Sequence, residues 1–298
     1  MALLQLSVNG LALGAAYALV ALGFVLVLNA TSAVNFAHGD LVMLGGYGGV
    51  FLAGWLFPAG IGETPWAGLL LLPLVGVAMA GMGLAVAAVG YLPLRRRPPV
   101  AVFLSTIALG MIFQHGALLG FGPEPRAGPA LLGGGTFSVG GLMLSRQSLA
   151  ILLTAGVVIA GQCWLFNRTQ LGRRLRATAQ DPEMARALGI PVTRMILLTF
   201  ALGTALAGVA GVLLANPFFV TPTEGSALIL KAYIAVTLGG WGSVPGAVLA
   251  ALLMAVFEVG VSAYVSQTAA AVALYLVVLL ILVGRPEGLF GEVSGRRA

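Results

Sequence analysis

The chain has 298 residues, 59% of them hydrophobic and only 8% charged, with a mean hydropathy of +1.04. Soluble domains carry about 25% charged residues, so 15 basic and nine acidic side chains argue against a soluble enzyme, a disordered chain and a nucleic-acid binder. The chain reads as an all-α integral membrane protein, and its net charge of +6 reports topology and membrane lipid rather than nucleic acid.

A membrane span needs roughly 20 apolar residues, and hydrocarbon selects helices because their backbone groups are satisfied internally. The period-two alternation of an outer-membrane barrel is missing. In chain order, charge-poor stretches predict helices at about 6–28, 40–57, 66–92, 100–121, 147–166, 195–215, 226–240, 244–264 and 268–284. The expectation is a polytopic bundle of eight or nine spans forming one permease domain over 1–298. The second and seventh segments are short and glycine-rich, as half-helices or re-entrant segments would be. No positive charge flanks the first segment, which counts against a cleaved secretory signal.

Arginines cluster at Arg95–Arg97, at Arg168, Arg173, Arg174, Arg176, Arg186 and Arg194, and at Arg285, Arg296 and Arg297. With nine crossings all three clusters fall on one side, which the positive-inside rule makes cytoplasmic. Arg126 and Arg146 are left opposite, and the amino terminus faces outward.

Residues 167–194 form the long polar segment on that inner side. Asp181 suits an N-cap, Pro182 a first helical position, Glu183 the first turn and Gly189 a helix end before Ile190 and Pro191. One exposed helix is expected at Pro182–Leu188, with Met184, Ala185 and Leu188 as a small apolar face. It is too short to stand alone in water. It is therefore a membrane-surface helix, a connector, or a knob for a partner's groove.

Two pieces recur. Ala12-Leu13-Gly14 resembles Ala201-Leu202-Gly203, and Leu44-Gly45-Gly46-Tyr47-Gly48 resembles Leu238-Gly239-Gly240-Trp241-Gly242, at offsets of 189 and 194. The copies lie five segments apart, which reverses the crossing direction and gives an inverted repeat with interrupted helices. Gly45, Gly46, Gly48, Gly239, Gly240 and Gly242 are expected to break or pack the short helices. The spacings Gly10/Gly14, Gly45/Gly49, Gly116/Gly120 and Gly242/Gly246 allow close helix contact.

Ionisable groups at membrane depth cost roughly 2.5–3.5 kcal/mol and should face protein or water. Asn35, His38 and Asp40 open the second segment, and Lys231 lies early in the seventh. All four are candidates for a substrate pathway. The alternatives are structural: Asp40 caps its helix and Lys231 snorkels to headgroups. Glu258 has no assigned role beyond a hydrogen bond within the bundle. Lys231 is the single lysine and precedes Ala232, so no phosphate-binding Gly-Lys-Ser/Thr loop exists, and any ATP is bound by another polypeptide. No Gly-x-Ser-x-Gly elbow occurs. His38 and His115 lack the neighbours of a zinc site, and the lone Cys163 excludes an internal disulfide. No catalytic residue, metal or cofactor is expected.

Three stretches together carry a resemblance. Asn35-Phe36-Ala37-His38-Gly39-Asp40 with Met43-Leu44-Gly45, Arg176 through Ala185 with Leu188-Gly189-Ile190, and Leu238 through Gly246 closely resemble the LivH-type permease of branched-chain amino-acid ABC importers. The resemblance implies a bacterial inner-membrane protein working with a second, related permease subunit. It also implies two cytoplasmic ATP-binding subunits and a periplasmic amino-acid-binding protein. It places ATPase coupling on the loop holding Arg176, Asp181, Pro182, Glu183, Met184, Ala185, Arg186, Leu188 and Gly189. The glycine- and proline-rich stretch 121–147 then suits contact with the binding protein, or is a loose connection. Permeases of the same fold for urea, amides or other amino acids share these mechanical motifs. An ion-coupled secondary transporter would also show inverted repeats and broken helices.

Overall fold

The computed structural model describes residues 2–57, 67–139, 142–285 and 288–289; Arg296 and Arg297 of the terminal cluster lie outside them. Helices stand at all nine predicted positions: α1 (Ala2–Thr31), α2 (His38–Leu56), α3 (Ala67–Val86), α4 (Pro99–Phe121), α5 (Arg146–Arg168), α8 (Val192–Phe218), α9 (Glu224–Gly239), α10 (Val244–Tyr264) and α11 (Gln267–Gly284). A π-helical turn at Ala87–Tyr91 prolongs α3. Eight of the nine are long and apolar enough to cross a membrane. The exception is α9, whose 16 residues reach about 24 Å, less than a hydrocarbon core.

The polar stretches hold more structure than their composition suggests. Residues 170–180 form α6 (Gln170–Gln180), ahead of α7 (Pro182–Ala187). The hydroxyl of Thr169 caps α6 by accepting from the Gly172 amide at 3.0 Å. Leu175 and Thr178 are buried on its inner face, one turn apart. A hairpin of β1 (Thr136–Val139) and β2 (Leu142–Ser145) pairs Thr136 with Ser145 and Phe137 with Leu144. Upstream of it, Arg126 and Val220 exchange both backbone hydrogen bonds at 3.0 and 2.8 Å. Asn216 donates to the Gly128 carbonyl at 2.9 Å, and Leu131 is fully buried with its amide donating to Gln147. The segment before the hairpin is thus tied to the end of α8.

Helix packing follows one rule twice. Antiparallel α1 and α10 meet where Gly10 lies on Val256 and Gly14 on Leu252. Antiparallel α3 and α8 meet where Gly83 lies on Phe200 and Thr204, and Gly208 on Met79. Exchanging α1 with α8, α2 with α9 and α3 with α10 converts one contact into the other, and the α2–α8 contact into α1–α9. Four long helices separate α1 from α8, so alternate crossing reverses the second copy. The two copies cross at Gly23 and Gly203, where a Cβ on Gly203 would lie 2.8 Å from the Gly23 carbonyl oxygen.

The matched glycine motifs are not equivalent within this repeat. Gly45, Gly46 and Gly48 lie inside α2, the first two packed on Gly208 and Val220. Gly239 ends α9 against Gly246, while Gly240 and Gly242 take positive φ of 92° and 81° in the following turn. Only the second set breaks a helix. Gly116 and Gly120 have open space around them. The end of α9 is closed from a distance: the Leu289 amide donates to the Leu238 carbonyl at 2.7 Å.

Because glycine backbones make these contacts, a branched side chain has nowhere to go. Gly203→Ile should cost about 1–3 kcal/mol by overpacking and lower the thermal midpoint of the detergent-solubilised protein. Gly120→Leu should leave it unchanged. Fluorescence-detected size exclusion after heating checks both.

Candidate functional site

The two short helices begin against each other. The first turn of α2 holds His38, Gly39 and Asp40, and that of α9 holds Glu224, Gly225 and Ser226. A Cβ on Gly39 would run into the Gly225 carbonyl, and one on Gly225 into the Asp40 side chain. Asp40 is 4% exposed. Its Oδ1 accepts from Gln114 Nε2 at 2.9 Å, and Gln114 also donates to Ser226 Oγ at 3.3 Å. Among the described residues no cation pairs with this carboxylate. Gln114 is its one recorded donor among the described residues, at the place where the first turns of α2 and α9 meet.

Asn35 and His38 anchor the approach to that point. The Asn35 side-chain oxygen accepts from the Ala37 amide at 3.2 Å. His38 is fully buried, its Nε2 donating to the Val20 carbonyl at 3.0 Å and its ring edge-on to Phe24. Asn35 shapes the turn before α2, and His38 ties its first turn to α1.

Lys231 lies apart from this cluster, six residues beyond Gly225, and does not snorkel. Its Nζ donates to Glu258 Oε1 at 2.7 Å and to the Tyr17 hydroxyl at 2.5 Å, and sits 4.7 Å from the Tyr17 ring centre. Helices α1, α9 and α10 are joined at this one ammonium. Tyr17 and Lys231 then line a cavity of about 70 Å³, shared with Glu224 and Gln267. Tyr17, Gln114 and Glu224 were not singled out by sequence reasoning, and Glu258 was noticed there without a partner or a role. Glu258 carried a usable signal, because a lone intramembrane lysine needs an acid and few acids lie within the spans.

The polar segment is built to present α7. Asp181 Oδ1 accepts from the Glu183 and Met184 amides at 3.0 and 2.9 Å. At the other end Gly189 has φ of 78°, and the Ile190 amide donates to the Ala185 carbonyl at 3.0 Å. The helix stops at Ala187, with Leu188 as its cap. The expected apolar face divides. Met184 and Leu188 are 58% and 72% exposed, whereas Ala185 is 2% exposed because it packs inward. Pro182, Glu183 and Arg186 are also exposed. Arg176, on α6, donates to Asn167 Oδ1 at 2.9 Å.

The profile of the family described as branched-chain amino acid transport system, permease component, matches residues 6–283. The chain is 34% identical over 295 residues to the high-affinity branched-chain amino acid transport system permease protein BraD of Pseudomonas aeruginosa, covering 97% of this chain and 96% of that protein. Identity to the corresponding LivH protein of Escherichia coli is 32% over 297 residues, with the same coverage. A probable LivH of Methanocaldococcus jannaschii is 28% identical over 262 residues, or 84% of this chain and 78% of that protein. No solved structure matches.

The junction of the two helix starts sets its own test. Gly225→Ala pushes a methyl group into the Asp40 carboxylate and should cost about 1–3 kcal/mol. Asp40→Asn keeps the oxygen that accepts from Gln114 and should cost less. Thermal midpoints of the purified variants should rank wild type, Asp40→Asn, Gly225→Ala in descending order.

Proposed function

The chain belongs to the family of branched-chain amino-acid transport permeases, and on that premise we propose that it is the membrane subunit of an ATP-driven importer of branched-chain amino acids. The similarity over 97% of the chain carries this reading. The protein is a multi-pass membrane protein and a transport component rather than an enzyme. Its only lysine is held in an ion pair among helices, which supports nucleotide binding on separate chains.

The proposed assembly is a second, related permease subunit, two cytoplasmic ATP-binding subunits and a periplasmic amino-acid-binding protein, in a bacterial inner membrane. Arg95–Arg97 and the 167–194 segment face the cytoplasm. There α7 docks on an ATP-binding subunit through Met184 and Leu188, the apolar side chains it leaves in water. The capped ends of α7 make it a stiff lever. It leads through Pro191 into α8, which packs on α2 and α3. Movement of an ATPase would thereby reach the junction of α2 and α9. Residues 121–147 form the opposite face, toward the binding protein.

The decisive experiment is reconstitution in proteoliposomes. Leucine should accumulate only with ATP, the ATP-binding subunits and the binding protein all present. Uptake by this chain alone would establish an ion-coupled carrier instead.

Two substitutions refine the docking assignment. Met184→Glu and Leu188→Glu change exposed side chains, so the bundle should stay folded while ATPase copurification or ATP-coupled uptake falls about tenfold. Ala185→Arg is unsuitable, since it disrupts internal packing. For topology, Cys163→Ala removes the native thiol. In that background Ala187→Cys should resist an impermeant thiol reagent on intact cells and Gly134→Cys should react. Thr178 is buried and would report nothing.

A further inference from the structure

One group of side chains exceeds what packing requires. The cavity beside Lys231 measures about 70 Å³, several times the 10–15 Å³ that one water needs. Its lining is of two kinds. Leu214, Val220 and Leu228 supply aliphatic surface, while Glu224 and Lys231 stand on α9 seven residues apart with Leu228 between them. That is two helical turns, about 10.5 Å along the axis, on one face. An acid and a base at the two ends of an apolar slot match a molecule with an ammonium group, a carboxylate and an aliphatic side chain.

We propose that this cavity, formed within the single chain, is a binding site for the zwitterion of an aliphatic α-amino acid. The proposal rests on the importer reading. The substrate carboxylate accepts from Lys231, whose ammonium has three protons and uses two on Glu258 and Tyr17. The substrate ammonium donates to Glu224, and the side chain lies against Leu214, Val220 and Leu228. Glu258 does not line the cavity. It is a positioning residue that holds the ammonium at the wall with one oxygen, while its second oxygen is buried without a partner. A lysine serving only as a structural tie would have no need of a cavity or of Glu224 beside it on the same helix face.

Neutralising both members of a buried ion pair separates the two roles. A structural pair can be replaced by uncharged residues of similar volume with little loss, whereas a substrate-binding pair cannot. The variants Lys231→Met, Glu258→Gln, Lys231→Met with Glu258→Gln, and Glu224→Gln are each assembled with all partner subunits and reconstituted. Radiolabelled leucine uptake is then measured at saturating binding protein. The double variant should assemble as wild type does, read by copurification of all subunits, yet transport at least about tenfold more slowly, the scale of one lost charge-assisted contact. Glu224→Gln should also transport about tenfold more slowly. Wild-type uptake in the double variant would reduce the pair to a structural tie and overturn the proposal. So would wild-type uptake in Glu224→Gln, which decides alone if the double variant fails to assemble. If the wild-type assembly takes up no branched-chain amino acid, the importer reading falls and the site with it. Normal wild-type uptake with unaffected variants removes the site alone.

Discussion

A carboxylate buried in the bundle needs a polar partner, and Asp40 finds one in Gln114, which donates to it where the starts of α2 and α9 meet. Both neighbours at the closest approach, Gly39 and Gly225, must lack side chains for the helix starts to come so near. Much else follows from that one meeting. Short helices begin inside the bundle, and on the approach to α2 Asn35 holds the Ala37 amide while His38 ties the helix start to α1. The long helices α1 and α8 brace the junction from either side and cross each other at Gly23 and Gly203.

The distribution of charge made the spans legible because hydrocarbon tolerates so few ionisable groups. All nine helices stand within a few residues of where charge-free stretches put them. What charge could not reveal was order within polar chain. Helix α6 is amphipathic and capped by Thr169, but its arginines made it read as loop. The β1–β2 hairpin lies in a glycine-rich stretch whose composition resembles that of a linker. The repeat was legible as a relation between helices and misleading as a relation between residues. Small-residue motifs serve close packing in α2 and a turn after α9, so similar letters hold different backbone conformations.

Within the candidate site, residue types were visible and partnerships were not. Lys231 was conspicuous as the only lysine, yet Tyr17 precedes it by 214 residues and Glu258 follows by 27. No local pattern links the three. Ala185 shows a further limit. A six-residue helix has too few positions for periodicity to say which side meets its own protein, and its small side chain is the one turned inward.

The placement of α1 bears on how such a chain is made. Almost all of its span is buried, and the surfaces that cover it belong chiefly to α10, α8, α5 and α9. A ribosome delivers α1 ahead of those partners, whose helices start about 140 to 240 residues after its own. During that interval the helix stands in lipid, and its apolar surface on every side suits it to wait there. Its later burial replaces lipid neighbours with protein, so the gain comes from glycine-mediated close packing and not from escape from water. Burial of α1 therefore waits on contacts between helices far apart in the chain.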